Sequence, residues 1–201
     1  MPPEIASLTL GDPPGLWADL GFVIEADAAW VSGIRHLLSG AGNGIREWSL
    51  RGAEDLRELP VAAGNPPAAE PTPAHPNGVT GLDHIVIATP DLRHTIEVFE
   101  ACGLELRRTR DTGTPERPTA QAFFWLGETI AEVVGPLEQP RPGPARLYGL
   151  AFSVLDLGAT AAFLGAKLRP AKEAVQEGRR IATLDRAAGS TVPIAFMSPH
   201  V

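Results

Sequence analysis

The chain has 201 residues, 44% of them hydrophobic and 20% charged, enough apolar material for one large domain or for one domain with an appended half. Its formal net charge is −7, and no run of more than two consecutive Lys or Arg occurs, which argues against nucleic acid or an anionic membrane as the main partner. The single cysteine, Cys102, excludes an intrachain disulfide framework, and neither a secretory leader nor a long apolar run is visible, so a cytoplasmic protein without a membrane span is expected.

In chain order, the first region (1–59) reads as a compressed unit of strands around one helix. IASLTLGD suggests a strand, PPGLWADL a short helix closed by Gly21, and FVIE a second strand. AAWV and IRHLL follow as a hairpin around Ser32-Gly33, and GIREWSLRGAEDL resembles the start of a further unit. Residues 60–79 hold six prolines, five alanines and two glycines and almost no apolar anchor, which predicts an extended, semi-rigid linker at the surface.

The third region (80–201) repeats its own order of elements. GLDHIVIA is a short apolar, β-branched run bounded by Gly81 and Pro90, hence a strand. DLRHTIEVFEAC follows as a helix with Asp91 as N-cap and Gly103 as stop. A strand near 104–109, a polar loop, and a hairpin of 120–126 with 129–135 complete a β-α-β-β-β order. From Tyr148 the order recurs, ending in the hairpin of GRRIATL with TVPIAFM, so two modules are expected at 80–136 and 147–199. Placing Asp156-Leu157 on Asp91-Leu92 sets Gly149 against His84, and placing Pro199 on Pro136 sets Ala195 against Glu132. In the front region, setting IRHLLSG on IAEVVGP matches His36 with Glu132, and taking GIREWSLRGAEDL as the start of a further unit, with one residue inserted, puts Glu47 near the His84 position.

His84 lies in a strand that is apolar on both faces, so both must be covered: one by the module's helix, the other, with His84, Val86 and Ala88, lining a concave cleft. Glu132 sits among Ile130, Val133 and Val134, where an unpaired carboxylate is expensive to bury, and His84 is its natural partner. The pair is either a hydrogen bond or two ligands of one divalent ion. With Gly127-Glu128 as a two-residue turn, Phe123 falls opposite Glu132, Trp125 opposite Ile130 and Gln121 opposite Val134. Gln121, Phe123 and Trp125 then share the Glu132 face as substrate-binding candidates, or are ordinary sheet-core residues. Arg179 and Arg180 open a strand of the last module; one could hold a carboxylate in the cleft, or both are a solvated strand end.

At GLDHIVIATPDL and WLGETIAEVVGP the sequence resembles the glyoxalase, bleomycin-resistance and extradiol-dioxygenase (vicinal oxygen chelate) superfamily. The resemblance implies an α+β fold in which βαβββ modules pair into curved mixed sheets around a cleft, with helices outside. It also implies a divalent metal (Zn, Mn, Fe or Ni) held by His84 and Glu132, with Glu132 catalytic in a lyase, isomerase or oxygenase reaction, and a homodimer. The same superfamily contains binders that sequester a small molecule without metal or catalysis. Gly149 and Ala195 cannot coordinate a metal, so waters, substrate or a third side chain would have to complete the shell. His36 and Glu47 are the side chains available if the front module completes the site, and are otherwise a half-exposed edge-strand His and a solvated surface Glu.

Overall fold

A computed structural model describes residues 3–52, 56, 59–62 and 65–199. The front region forms strand β1 (Glu4–Leu10), helix α1 (Pro14–Asp19), and strands β2 (Ala28–Val31), β3 (Ile34–Leu38) and β4 (Ile45–Arg51). They make a sheet of order β2-β3-β1-β4, with β3 parallel and β4 antiparallel to β1. Pro14 at the first turn suits a helix start, where its missing N–H has no acceptor to lose. Gly21, at φ +82, ends the helix; a β-carbon there would strike the Phe163 ring at 2.5 Å. The FVIE segment predicted as a strand makes only an isolated bridge at Glu25. Phe22 is instead drawn into an aromatic cluster, 4.6 Å from Trp17 and 5.2 Å from Phe152 by ring centroids. Residues 53–55, part of the further unit anticipated after β4, lie outside the described residues.

The larger sheet contains β5 (Val79–Ala88), β6 (Leu106–Thr114), β7 (Arg117–Leu126), β8 (Thr129–Gly135), β9 (Arg146–Val154), β10 (Lys172–Glu173), β11 (Arg180–Thr183) and β12 (Ile194–Met197). Its order, β10-β11-β12-β9-β5-β8-β7-β6, is palindromic about the β5–β9 contact. On each side a first strand lies parallel to its module's last strand, β5 to β8 and β9 to β12. The two first strands run antiparallel to each other. That is the paired βαβββ arrangement.

The helices show why the sequence repeats. In α2 (Leu92–Ala101) the buried residues are Leu92, Thr95 and Phe99, and in α3 (Leu157–Leu164) they are Leu157, Thr160 and Leu164. Both sets follow the spacing of one helical face. Each helix starts on an aspartate whose side chain accepts backbone N–H groups: Asp91 from His94, Asp156 from Gly158 and Ala159. Such a cap contributes about 1 kcal/mol. Phe99 packs 5.0 Å from Phe124, fixing α2 to the sheet face away from the cleft.

An aromatic contact and a buried carboxylate are among the features that join the front sheet to the rest. Phe152 of β9 packs 6.0 Å from Trp17 and 5.6 Å from His36. Buried Asp12 accepts from Trp17 Nε1, Ser190 Oγ, the Thr191 backbone N–H and Thr191 Oγ1 at 2.6–3.1 Å. The segment from 65 to 74 carries no helix or strand. At its end, buried His75 accepts from the Val23 N–H through Nδ1, and buried Asn77 donates to the Leu20 carbonyl.

Candidate functional site

Strand β5 sets the floor of the site. Leu82, Ile85 and Ile87 are buried against the helix side, whereas His84, Val86 and Ala88 are half-buried on the other. Pairing with β9 skips a residue between Leu82 and His84, so Asp83 is the extra residue of a β-bulge. The bulge brings two consecutive side chains together, which plain alternation would keep on opposite faces. Asp83 Oδ1 lies 2.9 Å from His84 Nδ1.

The other oxygen of Asp83 meets Arg179 Nη2 at 2.6 Å and accepts from Ser153 Oγ at 3.1 Å. Arg179 precedes β11, its side chain is 1% exposed, and its Nε donates to the Ser198 carbonyl at 2.9 Å. Burial alone would raise the Asp83 pKa, but hydrogen bonds from His84 and Arg179, with the guanidinium charge, hold it down to about 2. An ionised Asp83 fixes the proton of a neutral His84 on Nδ1, which leaves Nε2 as the atom turned to Glu132. Of the two arginines singled out in sequence, Arg179 therefore does hold a carboxylate, but one belonging to the protein itself.

His84 Nε2 lies 3.6 Å from Glu132 Oε2, too long for a direct hydrogen bond. Glu132 Oε1 instead accepts from Gln121 Nε2 at 2.5 Å. Phe123 pairs across from Glu132, Trp125 from Ile130 and Gln121 from Val134, with Gly127 in the turn at φ +65. His84, Glu132, Gln121 and Phe123 line a cleft of about 340 Å³ whose far wall comes from the second module, including Tyr148, Ile181, Ile194 and Met197. Trp125 is 44% exposed and lines an adjoining hollow of about 290 Å³, which shares His84, Phe123 and Glu132 with the cleft.

The second module's half of the site is different. Ala195 pairs with Ala151 as Glu132 pairs with Val86, so Gly149 occupies the place of His84 two residues earlier. Neither Gly149 nor Ala195 offers a donor. A β-carbon at Gly149 would also meet the Pro193 carbonyl oxygen at 2.9 Å, so the space for a side chain is already filled.

The front module does not supply the missing ligands. Leu8 pairs with both His36 and Trp48, and all three are buried on the core face, whereas Glu47 pairs with Thr9 on the opposite face. The alignment of His36 with Glu132 is thus one residue out of phase, which in a strand exchanges the faces. Burial pushes the His36 pKa down to about 4, against the opposing effect of hydrogen bonding by the ring to the backbone of Ile34 and Ala29, the Ile34 carbonyl lying 3.1 Å from Nδ1. Glu47 accepts from Thr9 Oγ1 at 3.2 Å. Among the described residues no group of three His, Cys, Asp or Glu side chains could hold a metal. The donors present do not fit the metal centre that the sequence resemblance implies.

Asp83 was missed because strand alternation places it opposite His84, and only the bulge brings the two together. The local signal was a charged residue interrupting an otherwise apolar strand.

No family model matches the sequence, and no curated protein matches it. Solved structures do. Methylmalonyl-CoA epimerase from Mycobacterium tuberculosis is 23% identical, with 62% of this chain and 91% of that one covered, at a TM-score of 0.49. The Streptomyces coelicolor epimerase, in complex with 2-nitronate-propionyl-CoA, is 22% identical over 61% of this chain and 99% of that one, at 0.48. A hypothetical protein from Bacillus halodurans C-125 is 19% identical over 60% and 94%, at 0.46. Among the described residues, no helix is long and apolar enough to cross a membrane.

Proposed function

We propose that this chain is a glyoxalase-like protein that binds a small organic molecule in the cleft over His84 and Glu132, without a resident metal. The observation that carries the reading is the composition of the cleft. Its 340 Å³ falls at the small end of the range for ligand sites, and its wall is mainly apolar around a few convergent polar groups. Phe123 gives a flat surface for a ring or a planar group. Gln121 Oε1 is buried with no hydrogen-bond partner among the described residues, so a ligand hydroxyl or amide N–H would satisfy it.

A second reading, turnover of the bound molecule, is favoured by the Asp83–His84 contact. A histidine held by a buried carboxylate, with its other nitrogen facing a cleft, is arranged to accept or return a proton. Glu132, the residue singled out as catalytic from sequence, would then act beside His84 Nε2 on an acidic C–H or O–H of the ligand.

The test is a fragment screen followed by NMR, using wild type and Phe123→Ala, together with elemental analysis of protein purified without chelator. Fragments that shift His84, Phe123 and Met197 resonances, and lose affinity in Phe123→Ala, support the binding reading. Stoichiometric metal that disappears in Glu132→Gln would replace it with a metal-dependent one.

A further inference from the structure

We propose that the ligand of this cleft is an organic anion whose charged group sits between Arg108 and Arg110, an inference that rests on the binding reading above. Strand β6 carries Arg107, Arg108 and Arg110 in four consecutive positions, in a chain whose net charge is −7. Its pairing with β7 shifts between Leu106 and Arg108, and from there Arg108 lies opposite Phe123 and Arg110 opposite Gln121. The shift puts both arginines in the same rows as the cleft-lining residues of β7, and both line the cleft. Arg107, between Leu106 and Arg108, pairs with Glu105 at 3.0 Å. Neither Arg108 nor Arg110 has an ion-pair partner among the described residues.

The surroundings define how such a ligand would lie. Arg108 stacks over the Phe123 ring, 4.6 Å from its centroid, which aims a planar guanidinium along the cleft wall. Two arginines separated by one residue on a strand stand roughly 7 Å apart, a span from which both can reach one carboxylate, sulfonate or phosphate. Glu132 repels a second negative charge, so the anionic group belongs at the arginine end. The apolar side chains of Ile181, Ile194 and Met197 on the far wall would take the uncharged body. The ligand class is therefore a small amphipathic acid, charged at one end and flat or apolar at the other.

The alternative role for these arginines is protection of an edge strand, since β6 ends the sheet and charge there discourages pairing with another chain. Fluorescence titration with anilinonaphthalene sulfonate and with neutral N-phenylnaphthylamine separates the two. The proteins are wild type, Arg108→Ala/Arg110→Ala, and Arg93→Ala/Arg117→Ala, a control of equal charge whose changes lie off the cleft; near-UV circular dichroism confirms that each is folded. We expect the sulfonate to bind wild type and the control alike, and to bind the cleft variant at least about tenfold more weakly. The neutral probe should bind all three equally, and added salt should weaken only the sulfonate. Equal sulfonate affinity in the cleft variant and the control, with both probes still bound, would overturn the anion assignment and leave the cleft as a neutral binding site. Failure of both probes to bind wild type would overturn the binding reading itself.

Discussion

Arg179 is a long cation with a side chain only 1% exposed, and its worth depends on Asp83. Removing one member of a buried ion pair strands the other, which generally costs about 3–5 kcal/mol. Arg179→Ala is therefore expected to destabilise the protein by about that amount in urea denaturation, and Arg179→Lys by less. A loss under about 1 kcal/mol would show that Asp83 finds water or another donor instead. The Asp83 pKa is depressed in the fold from 3.8 to about 2, so its stabilisation is complete above pH 4 and disappears as the pH falls towards 2. His36 acts in a higher range. Its folded pKa of about 4 lies below the unfolded 6.5, so the unfolded chain takes up the proton first and stability falls as the pH drops from 6.5 to 4. The full loss is about 3 kcal/mol, and His75, also lowered mainly by burial, deepens the same limb. On acidification across this range the melting temperature of wild type should fall more than that of His36→Leu; parallel curves would contradict a neutral, buried His36.

At the scale of elements, the hairpin of β7 and β8 was legible residue by residue. A two-residue turn at Gly127-Glu128 between alternating strands admits one register, and that register placed Phe123 opposite Glu132. The two helices were legible for a related reason: Asp91 reads as a cap before a stretch closed by Gly103, and Asp156-Leu157 recurs at the position matching Asp91-Leu92. Three features were hidden. The bulge at Asp83 leaves no mark in periodicity until β9 is laid beside β5. The segment after α1 carries strand-like residues, yet packing of Phe22 against Trp17 and Phe152 outweighs that preference. His36 was set on the wrong face because a short strand with apolar residues on both sides fits either phase. The closed position at Gly149 predicts that Gly149→His does not create a third metal ligand. Because Pro193 O stands 2.9 Å from the β-carbon site, even Gly149→Ala should lower stability by about 1–3 kcal/mol, measurable by thermal denaturation. A neutral Gly149→Ala would mean that the turn before β12 yields easily.

For the molecule as a whole, the buried residues of both sheets form one continuous core, with Trp17 and Phe22 of the front region packed on Phe152 of the large sheet. We propose the division into a front module (1–59), a linker (60–79) and a paired-module domain (80–201), with the linker's last residues tied to the front module by His75 and Asn77. Limited proteolysis should cut first between 65 and 71, and the two fragments should still elute together in gel filtration. Separation into two species would show that the Asp12 and Phe152 contacts are too weak to hold without the covalent link. Asp12→Ala, which orphans four donor groups, is the variant expected to release the front fragment after such a cut.

The palindromic sheet has a consequence for how the protein would titrate. A scaffold with two equivalent halves could offer two equivalent half-sites facing each other, and a ligand could then enter in either of two opposed orientations. Here one half presents His84 and Glu132, whereas the other presents Gly149 and Ala195 beneath Pro193. The two ends of the cleft are chemically distinct, so an asymmetric guest has one preferred pose. Calorimetry should accordingly give a simple hyperbolic isotherm saturating at one molecule per chain.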